Sequence, residues 1–301
     1  MSLYAFDYAG SLADALLSVA PELRRSRFVW GRFANSELSV HLSGPAKGEC
    51  LVLGSIQPPE DRLVTYLLLC DTLKRQGASR VTAVLPYLAY SRQDKREPGS
   101  SLAVAWVGEA LSASGVDRVI TLDLHSTHAA GLFPIPVESL AVAPLFADAI
   151  GNGGRDASIV SPDEGGVSRC EELRACLKAT APALYCAKQR TARGVSSRLV
   201  GIPGHHAIVY DDILDTGGTL LACCEKLNEA GTTEIDIVVT HGLFTGTKWR
   251  GLWNLGVRSI TCTDAVPLTP PRDPRVMIIS CAPVLASALR TSKQSKEFTH
   301  A

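Results

Sequence analysis

VYDDILDTGGTL, residues 209–220, is the most informative stretch of this 301-residue chain. An apolar strand-like lead, residues 207–210, runs into two adjacent carboxylates, Asp211 and Asp212. Asp215, Thr216, Gly217, Gly218 and Thr219 follow, and then an apolar run puts Leu220, Cys224 and Leu227 on one helical stripe. Strand, polar turn and helix make up most of a βαβ unit. The glycines permit close backbone approach, the threonines offer hydroxyls, and a helix start supplies free N–H groups and a positive dipole end. That set suits one dianionic phosphate. Carboxylates repel phosphate, so Asp211 and Asp212 must act differently, by accepting hydrogen bonds from sugar hydroxyls or helping to hold Mg²⁺. The two halves together describe a ribose carrying a 5-phosphate. Taken alone, the same residues would also serve as a helix N-cap beside solvated acids.

On either side of this stretch, strand-like and helix-like runs alternate. LVLGSI (51–56), RVTAVLPYL (80–88) and RVITLDLH (118–125) read as buried strands. Between them, residues 60–77 and 100–115 read as helices that stop at Gly77 and Gly115. The second half repeats the rhythm with strands at 157–161, 183–189, 207–212, 235–242, 258–264 and 276–282, and a late helix APVLASALR. This alternation predicts an α/β fold of two similar domains, each a mostly parallel sheet flanked by helices. The boundary falls near residue 145, giving domains 1–145 and 146–301, with the last helix packing back on the first. The segment 188–206 shows no periodicity and reads as a long basic loop. The tail 291–301 reads as weakly structured.

Composition excludes several classes. Thirty basic and thirty acidic residues cancel, leaving no general electrostatic footprint for nucleic acid or a membrane surface. No run of about 18 apolar residues exists, and the N-terminus lacks the basic-then-apolar pattern of a leader. Nine cysteines, none in CxxC spacing, sit mostly in apolar segments, as buried reduced thiols of a cytoplasmic protein would.

The remaining polar outliers fall at predicted strand ends, where parallel α/β sheets gather ligands. Asp123 and His125 close one strand, and their i, i+2 spacing places both on one face. SPDEGG (161–166) closes another with Asp163, YSRQDKR (90–96) follows a third, and FANSELSV (33–40) reads as a strand or hairpin. Each has an ordinary reading by itself: a satisfied strand-end pair, a turn, a loop.

In order along the chain, LPYLAYSRQDK, DLHSTHAAGLFPIPVESL, VSPDEGGVSR, VYDDILDTGGTL, THGLFTG and TDAVPL resemble the ribose-phosphate diphosphokinase (phosphoribosyl-pyrophosphate, PRPP, synthetase) family. The resemblance runs from about GRFANSE to CAPVLASAL. Residues 209–220 alone are shared with type I phosphoribosyltransferases; LPYLAYSRQDK discriminates between the two.

The resemblance implies two phosphoribosyltransferase-like domains with the active site between them. It implies transfer of pyrophosphate from MgATP to the C1 hydroxyl of ribose 5-phosphate, giving PRPP and AMP. Carried over by position, Phe33, Asn35 and Glu37 match a loop reaching the adenine of ATP on a neighbouring subunit, which implies at least a homodimer. Arg92, Gln93 and Asp94 match the segment contacting ATP. His125 matches a histidine near the ATP phosphates and Mg²⁺, and Asp163 an acid associated with Mg²⁺ and ribose. Asp211 and Asp212 match ribose contacts, and Asp215, Thr216, Gly217, Gly218 and Thr219 the 5-phosphate loop. Lys188 and Arg190 match the basic pair of a catalytic loop. Cations there would stabilise charge building on the phosphoryl oxygens.

The chain departs from the family at several points. Asn35-Ser36 stands where Asp-Gly is usual, and Gln189 where the middle of the basic pair is usually arginine. Residues 57–61 lack the usual Asn before Asp, and the tail lacks the usual serines. These changes leave room for a non-catalytic homologue with a regulatory or assembly role, although such a protein would be expected to lose Lys188 and Arg190. A phosphoribosyltransferase would explain 209–220 but neither YSRQDK nor DLHSTH.

Overall fold

The computed structural model describes residues 1–191, 194–267 and 271–297; for residues 127, 188–191, 194–196 and 291–297 it describes the backbone alone. The chain divides into two compact units, Met1–Leu140 with Ser280–Ala301, and Ala141–Ile279.

The first unit is built on a six-stranded sheet. Its strands are β1 (Ser2–Ala5), β2 (Arg24–Ser26), β5 (Gly48–Leu53), β6 (Ala78–Val84), β7 (Arg118–Leu122) and β8 (Val137–Leu140), in the order β2-β1-β5-β6-β7-β8. Every pairing in it is parallel. The central strands carry Leu51, Val52, Leu53, Val81, Val84, Val119 and Ile120, all fully buried. Parallel sheets covered on both faces need such continuous apolar runs. Helices α1 (Gly10–Val19), α2 (Asp61–Arg75), α3 (Ala103–Ala113) and the short α4 (Thr127–Ala130) connect the strands. In α2, Asp61 sits in the first turn and Lys74 and Arg75 in the last, each favourable to the helix dipole. Strands β3 (Phe28–Arg32) and β4 (Leu38–Leu42) pair only with each other, antiparallel.

Three strands end earlier than the sequence predicts. β5 stops at Leu53, β6 at Val84 and β7 at Leu122, so Ser55, the YSRQDK segment and Asp123 all lie in loops beyond the sheet.

The second unit has a seven-stranded sheet. It comprises β9 (Ser158–Ser161), β10 (Leu184–Thr191), β11 (Gly194–Val200), β12 (His206–Leu214), β13 (Glu234–Gly242), β14 (Val257–Thr263) and β15 (Val276–Ile279), ordered β11-β10-β9-β12-β13-β14-β15. All pairs are parallel except β10–β11. Helices α5 (Ala143–Ile150), α6 (Val167–Leu177) and α7 (Gly218–Glu229) accompany it.

Two expectations are corrected. The segment 188–206 is not irregular, because most of it forms the β10–β11 hairpin, with Cys186 opposite Leu199 and Lys188 opposite Ser197. Burial of Leu184 and Cys186 fixes the strand phase at its start. Beyond that, an edge hairpin has no need of an apolar run, so its pattern fades from the sequence. The stretch 291–297 is helical backbone, since α8 runs Ala282–Glu297. Leu285, Ala286 and Leu289 of α8 are buried in the first unit, and Arg290 Nη1 donates to the Val19 carbonyl at 3.1 Å.

At the amino ends of β12–β14, the Asp236 carboxylate accepts from Ser259 Oγ (2.7 Å), meets His206 Nε2 (2.9 Å) and pairs with Arg258, which also holds Glu234. Burial acts to raise the Asp236 pKa, but hydrogen bonds from Arg258, Ser259 and His206 together hold it below the usual carboxylate range. A depressed folded pKa contributes stability that is present above the unfolded value and lost as pH falls through the folded one. Asp236→Asn is therefore expected to cost about 1–2 kcal/mol in urea denaturation at pH 7. The gap to the parent should close as pH falls below about 4.

No helix among the described residues is long and apolar enough to cross a membrane.

Candidate functional site

In the second unit, the carboxyl ends of β9 and β12 and the starts of α6 and α7 assemble one polar cluster. β9 ends at Ser161, whose Oγ donates to the Asp163 carbonyl at 2.6 Å. Asp163 caps the following 3-10 turn, accepting from the Gly166 N–H on Oδ1 at 3.2 Å. A β-carbon on Gly166 would stand 2.5 Å from Ser161 Oγ, so this turn closes only with glycine. β12 carries Asp211 and Asp212 as its sixth and seventh residues, and both approach one guanidinium. Arg169 Nη1 of α6 lies 3.7 Å from Asp212 Oδ1 and 4.0 Å from Asp211 Oδ1.

The three side chains are 12%, 7% and 15% exposed, in that order. Burial pushes the Asp211 carboxyl well above the usual carboxylate range; repulsion from Asp212 adds to this and Arg169 opposes it. Carboxylate oxygens are hydrogen-bond acceptors, a chemistry that suits the hydroxyls of a sugar.

Past Leu214 the chain turns through Asp215 and Thr216 into α7. Gly217, the residue before the helix, has φ +86°, and a β-carbon there would stand 2.8 Å from both Cα and Cβ of Trp249. Left-handed backbone and zero side-chain room both demand glycine. Residues 243–249 back this turn. Leu243 N and Phe244 N donate to the Leu214 carbonyl at 2.8 and 3.1 Å, and Thr245 N donates to the Asp215 carbonyl at 3.1 Å. Trp249 is 1% exposed and packs edge-on to Phe244 and Trp253. The THGLFTG motif thus acts physically as the buttress of the 215–219 turn.

In the first unit, the three residues Arg92, Gln93 and Asp94 separate. Arg92 and Gln93 are exposed, and Gln93 Oε1 accepts from Ser101 Oγ at 2.7 Å. Asp94 is 6% exposed and accepts a hydrogen bond from Ser126 Oγ. Ser126 in turn caps α4, accepting from Ala129 N at 3.1 Å. Asp94 is therefore an internal tie between the YSRQDK and DLHSTH segments.

Asp123 and His125 do not share a strand face as the sequence predicts. β7 ends at Leu122, and Asp123 adopts φ +35°, which breaks the alternation. Asp123 is buried and its N–H donates to the Leu140 carbonyl at 3.0 Å, whereas His125 is exposed. Leu124 N, between them, donates to Ser139 Oγ at 2.9 Å.

Phe33, Asn35 and Glu37 form the tip of the β3–β4 hairpin. Phe33 N donates to the Glu37 carbonyl at 2.9 Å, Asn35 Oδ1 accepts from Glu37 N at 3.2 Å, and Ser36 takes φ +70°. Phe33 is 58% exposed. The side chains of Lys188 and Arg190 lie outside the described residues; their backbone belongs to β10.

Arg169 and Ser126 fall inside the VSPDEGGVSR and DLHSTH segments, but residue type alone does not single them out. The signal for Arg169 is a cation in the first turn of a helix, where the dipole disfavours it, just beyond PDEGG. Among the described residues no group of three or more His, Cys, Asp and Glu is placed to hold a metal ion.

Comparison with known proteins covers nearly the whole chain. The N-terminal domain of ribose phosphate pyrophosphokinase matches residues 4–115, and the phosphoribosyl transferase domain matches residues 131–250. A ribose-phosphate pyrophosphokinase of Cereibacter sphaeroides is 34% identical over 270 residues, 86% of this chain and 80% of that protein. One from Granulibacter bethesdensis is 33% identical over 300 residues, 96% of each. The crystal structure of phosphoribosylpyrophosphate synthetase from Mycobacterium smegmatis superposes with a TM-score of 0.87 at 31% identity, covering 98% of this chain and 99% of that one.

Proposed function

The chain belongs to the ribose-phosphate pyrophosphokinase family, and from that premise we propose how its own residues divide the work. The reaction moves the pyrophosphoryl group of ATP to the C1 hydroxyl of ribose 5-phosphate and releases PRPP and AMP. The observation that carries the substrate assignment is the largely buried Asp211–Asp212 pair against Arg169, leading directly into the glycine turn at the start of α7. Asp211 and Asp212 accept from ribose hydroxyls. Residues 215–219 take the 5-phosphate on backbone N–H groups and threonine hydroxyls.

On the nucleotide side, the exposed Arg92 and Gln93 contact ATP, while Asp94 holds the segment bearing His125 in place. His125 lies beside the phosphates. Magnesium suits this donor set as an ion that arrives with ATP, since Mg²⁺ takes few protein carboxylates and fills its shell with phosphate oxygens and water. Asp163 and His125 are its assigned protein contacts, and Asp163 commits one oxygen, Oδ1, to the Gly166 N–H. When bound, the ion neutralises charge on the phosphate oxygens. Lys188 and Arg190 stabilise the charge that develops on those oxygens as the β-phosphorus is attacked.

The exposed tip bearing Phe33, Asn35 and Glu37 serves the adenine of a neighbouring copy, so the active form is at least a homodimer. A strictly monomeric, active enzyme would overturn that assignment. Free thiols at all nine cysteines, eight of them buried, support a reducing, cytoplasmic setting.

The direct test incubates the protein with ATP, Mg²⁺ and ribose 5-phosphate and follows AMP and PRPP, expected in equal amounts. No turnover by folded protein with inorganic phosphate present would sink the reading. In the same assay Lys188→Ala is expected to lower kcat about a hundredfold, the smaller end of the 2.7–4 kcal/mol seen for removal of one charge-stabilising donor. Consumption of PRPP with a nucleobase would instead favour a phosphoribosyltransferase.

A further inference from the structure

The turn at 215–219 has a neighbour that its own motif does not contain. Lys248 follows the THGLFTG buttress and opens the 3-10 segment Lys248–Leu255. Its Nζ lies 3.7 Å from the point where a β-carbon on Gly218 would stand. Gly218 is the first residue of α7, so the lysine ammonium sits over the positive end of that helix.

Bare, that arrangement is unfavourable. Helix N-termini attract anions and repel cations, with an effective charge of roughly +0.5. Lys248 is exposed and its amine enters no ion pair among the described residues. Its backbone position is nonetheless fixed. Trp249, the next residue, is 1% exposed, donates from Nε1 to the Gly246 carbonyl at 3.2 Å and abuts Gly217. A cation held against a cation-repelling helix end is favourable when an anion lies between them.

We propose that Lys248 is a ligand of the 5-phosphate, completing with its ammonium the cradle that residues 215–219 form from backbone and hydroxyls. The ligand class is a phosphomonoester dianion. The proposal rests on the assignment of the 215–219 turn to ribose 5-phosphate, and adds a point charge to a site otherwise built of neutral donors. Lysine binds phosphate as such a charge, without the fixed fork of arginine.

The test compares the parent, Lys248→Met and Lys248→Arg. An exposed charge-assisted contact corresponds to about a tenfold change in affinity. Lys248→Met should raise KM for ribose 5-phosphate about tenfold, leave KM for ATP within about twofold, and show that rise shrinking at high salt. Lys248→Arg should recover most of the affinity. Equal KM for ribose 5-phosphate in parent and Lys248→Met overturns the proposal, as does a loss confined to kcat.

Calorimetric titration with ribose 5-phosphate alone separates this inference from the proposed reaction. Binding that weakens about tenfold in Lys248→Met supports the contact whether or not the enzyme turns over. Binding that is unchanged by the substitution overturns it. A parent that fails to bind ribose 5-phosphate at all overturns both.

Discussion

Gly217→Val is expected to lower kcat/KM for ribose 5-phosphate by about a thousandfold and to destabilise the protein as well. The residue has φ +86°, where a β-branched L-residue is strained; left-handed backbone costs roughly 1–2 kcal/mol. Its β-carbon would also stand 2.8 Å from the Trp249 main chain, and Trp249 is 1% exposed and cannot step back. Overpacking of that kind adds about 1–3 kcal/mol. The turn must move, and misplacing a substrate by about 1 Å costs on the order of a hundredfold. Loss of charged hydrogen bonds to the phosphate accounts for about a further tenfold. Steady-state kinetics and thermal melts read the two effects separately. Gly218→Ala is the control for folding: its β-carbon meets only the Lys248 amine, at 3.7 Å, and its Tm should stay within about 2 °C of the parent. A Gly217→Val enzyme with the parental KM for ribose 5-phosphate would show that the phosphate binds elsewhere.

Arg169→Leu is expected to cost about 3 kcal/mol of stability at pH 7 and to abolish turnover. Removing one partner of a buried ionic group strands the other charges, at about 3–5 kcal/mol; contacts of 3.7 and 4.0 Å argue for the lower end. The pH dependence identifies the cause. Asp211 already has its pKa raised by burial and by Asp212, and loss of Arg169 raises it further. A carboxylate with a raised folded pKa penalises the native state at high pH, and the penalty fades as pH falls and the group protonates. The stability deficit of Arg169→Leu, measured by urea denaturation, should therefore be larger at pH 8 than at pH 5. A deficit independent of pH would mean that Arg169 acts through packing, for instance over the Tyr210 ring at 5.7 Å.

Much of this architecture is readable in the amino-acid order because buried parallel strands must be apolar throughout. LVL, VTAV and VITL can hardly be anything else. The 209–220 stretch is readable for a similar reason: a left-handed glycine, a helix start and paired carboxylates leave local marks. Other features leave fainter ones. β1 has four residues and α1 carries no side-chain cap, so neither stands out from the chain around it. The β10–β11 hairpin lies at a sheet edge, where a strand need not be apolar. Asp123 and His125 look like alternating strand residues, and only the positive φ at Asp123 takes them apart. Arg169 and Lys248 matter through what lies across from them in space. Their spacing from the motifs they serve, six residues past Asp163 and twenty-nine past Thr219, carries no period.

On the proposed assignment of residues 92–94 to ATP, the Asp94–Ser126 tie limits how this protein could acquire a different nucleotide donor. Arg92 and Gln93 are exposed. Asp94 follows them directly but is anchored inside, against the residue next to His125. Variation, whether by drift or in a laboratory library, thus meets a buried anchor at the third position but not at the first two. On that assignment, substitutions at 92 and 93 leave the contact with Ser126 intact, whereas a change at 94 removes it and loosens the segment bearing His125.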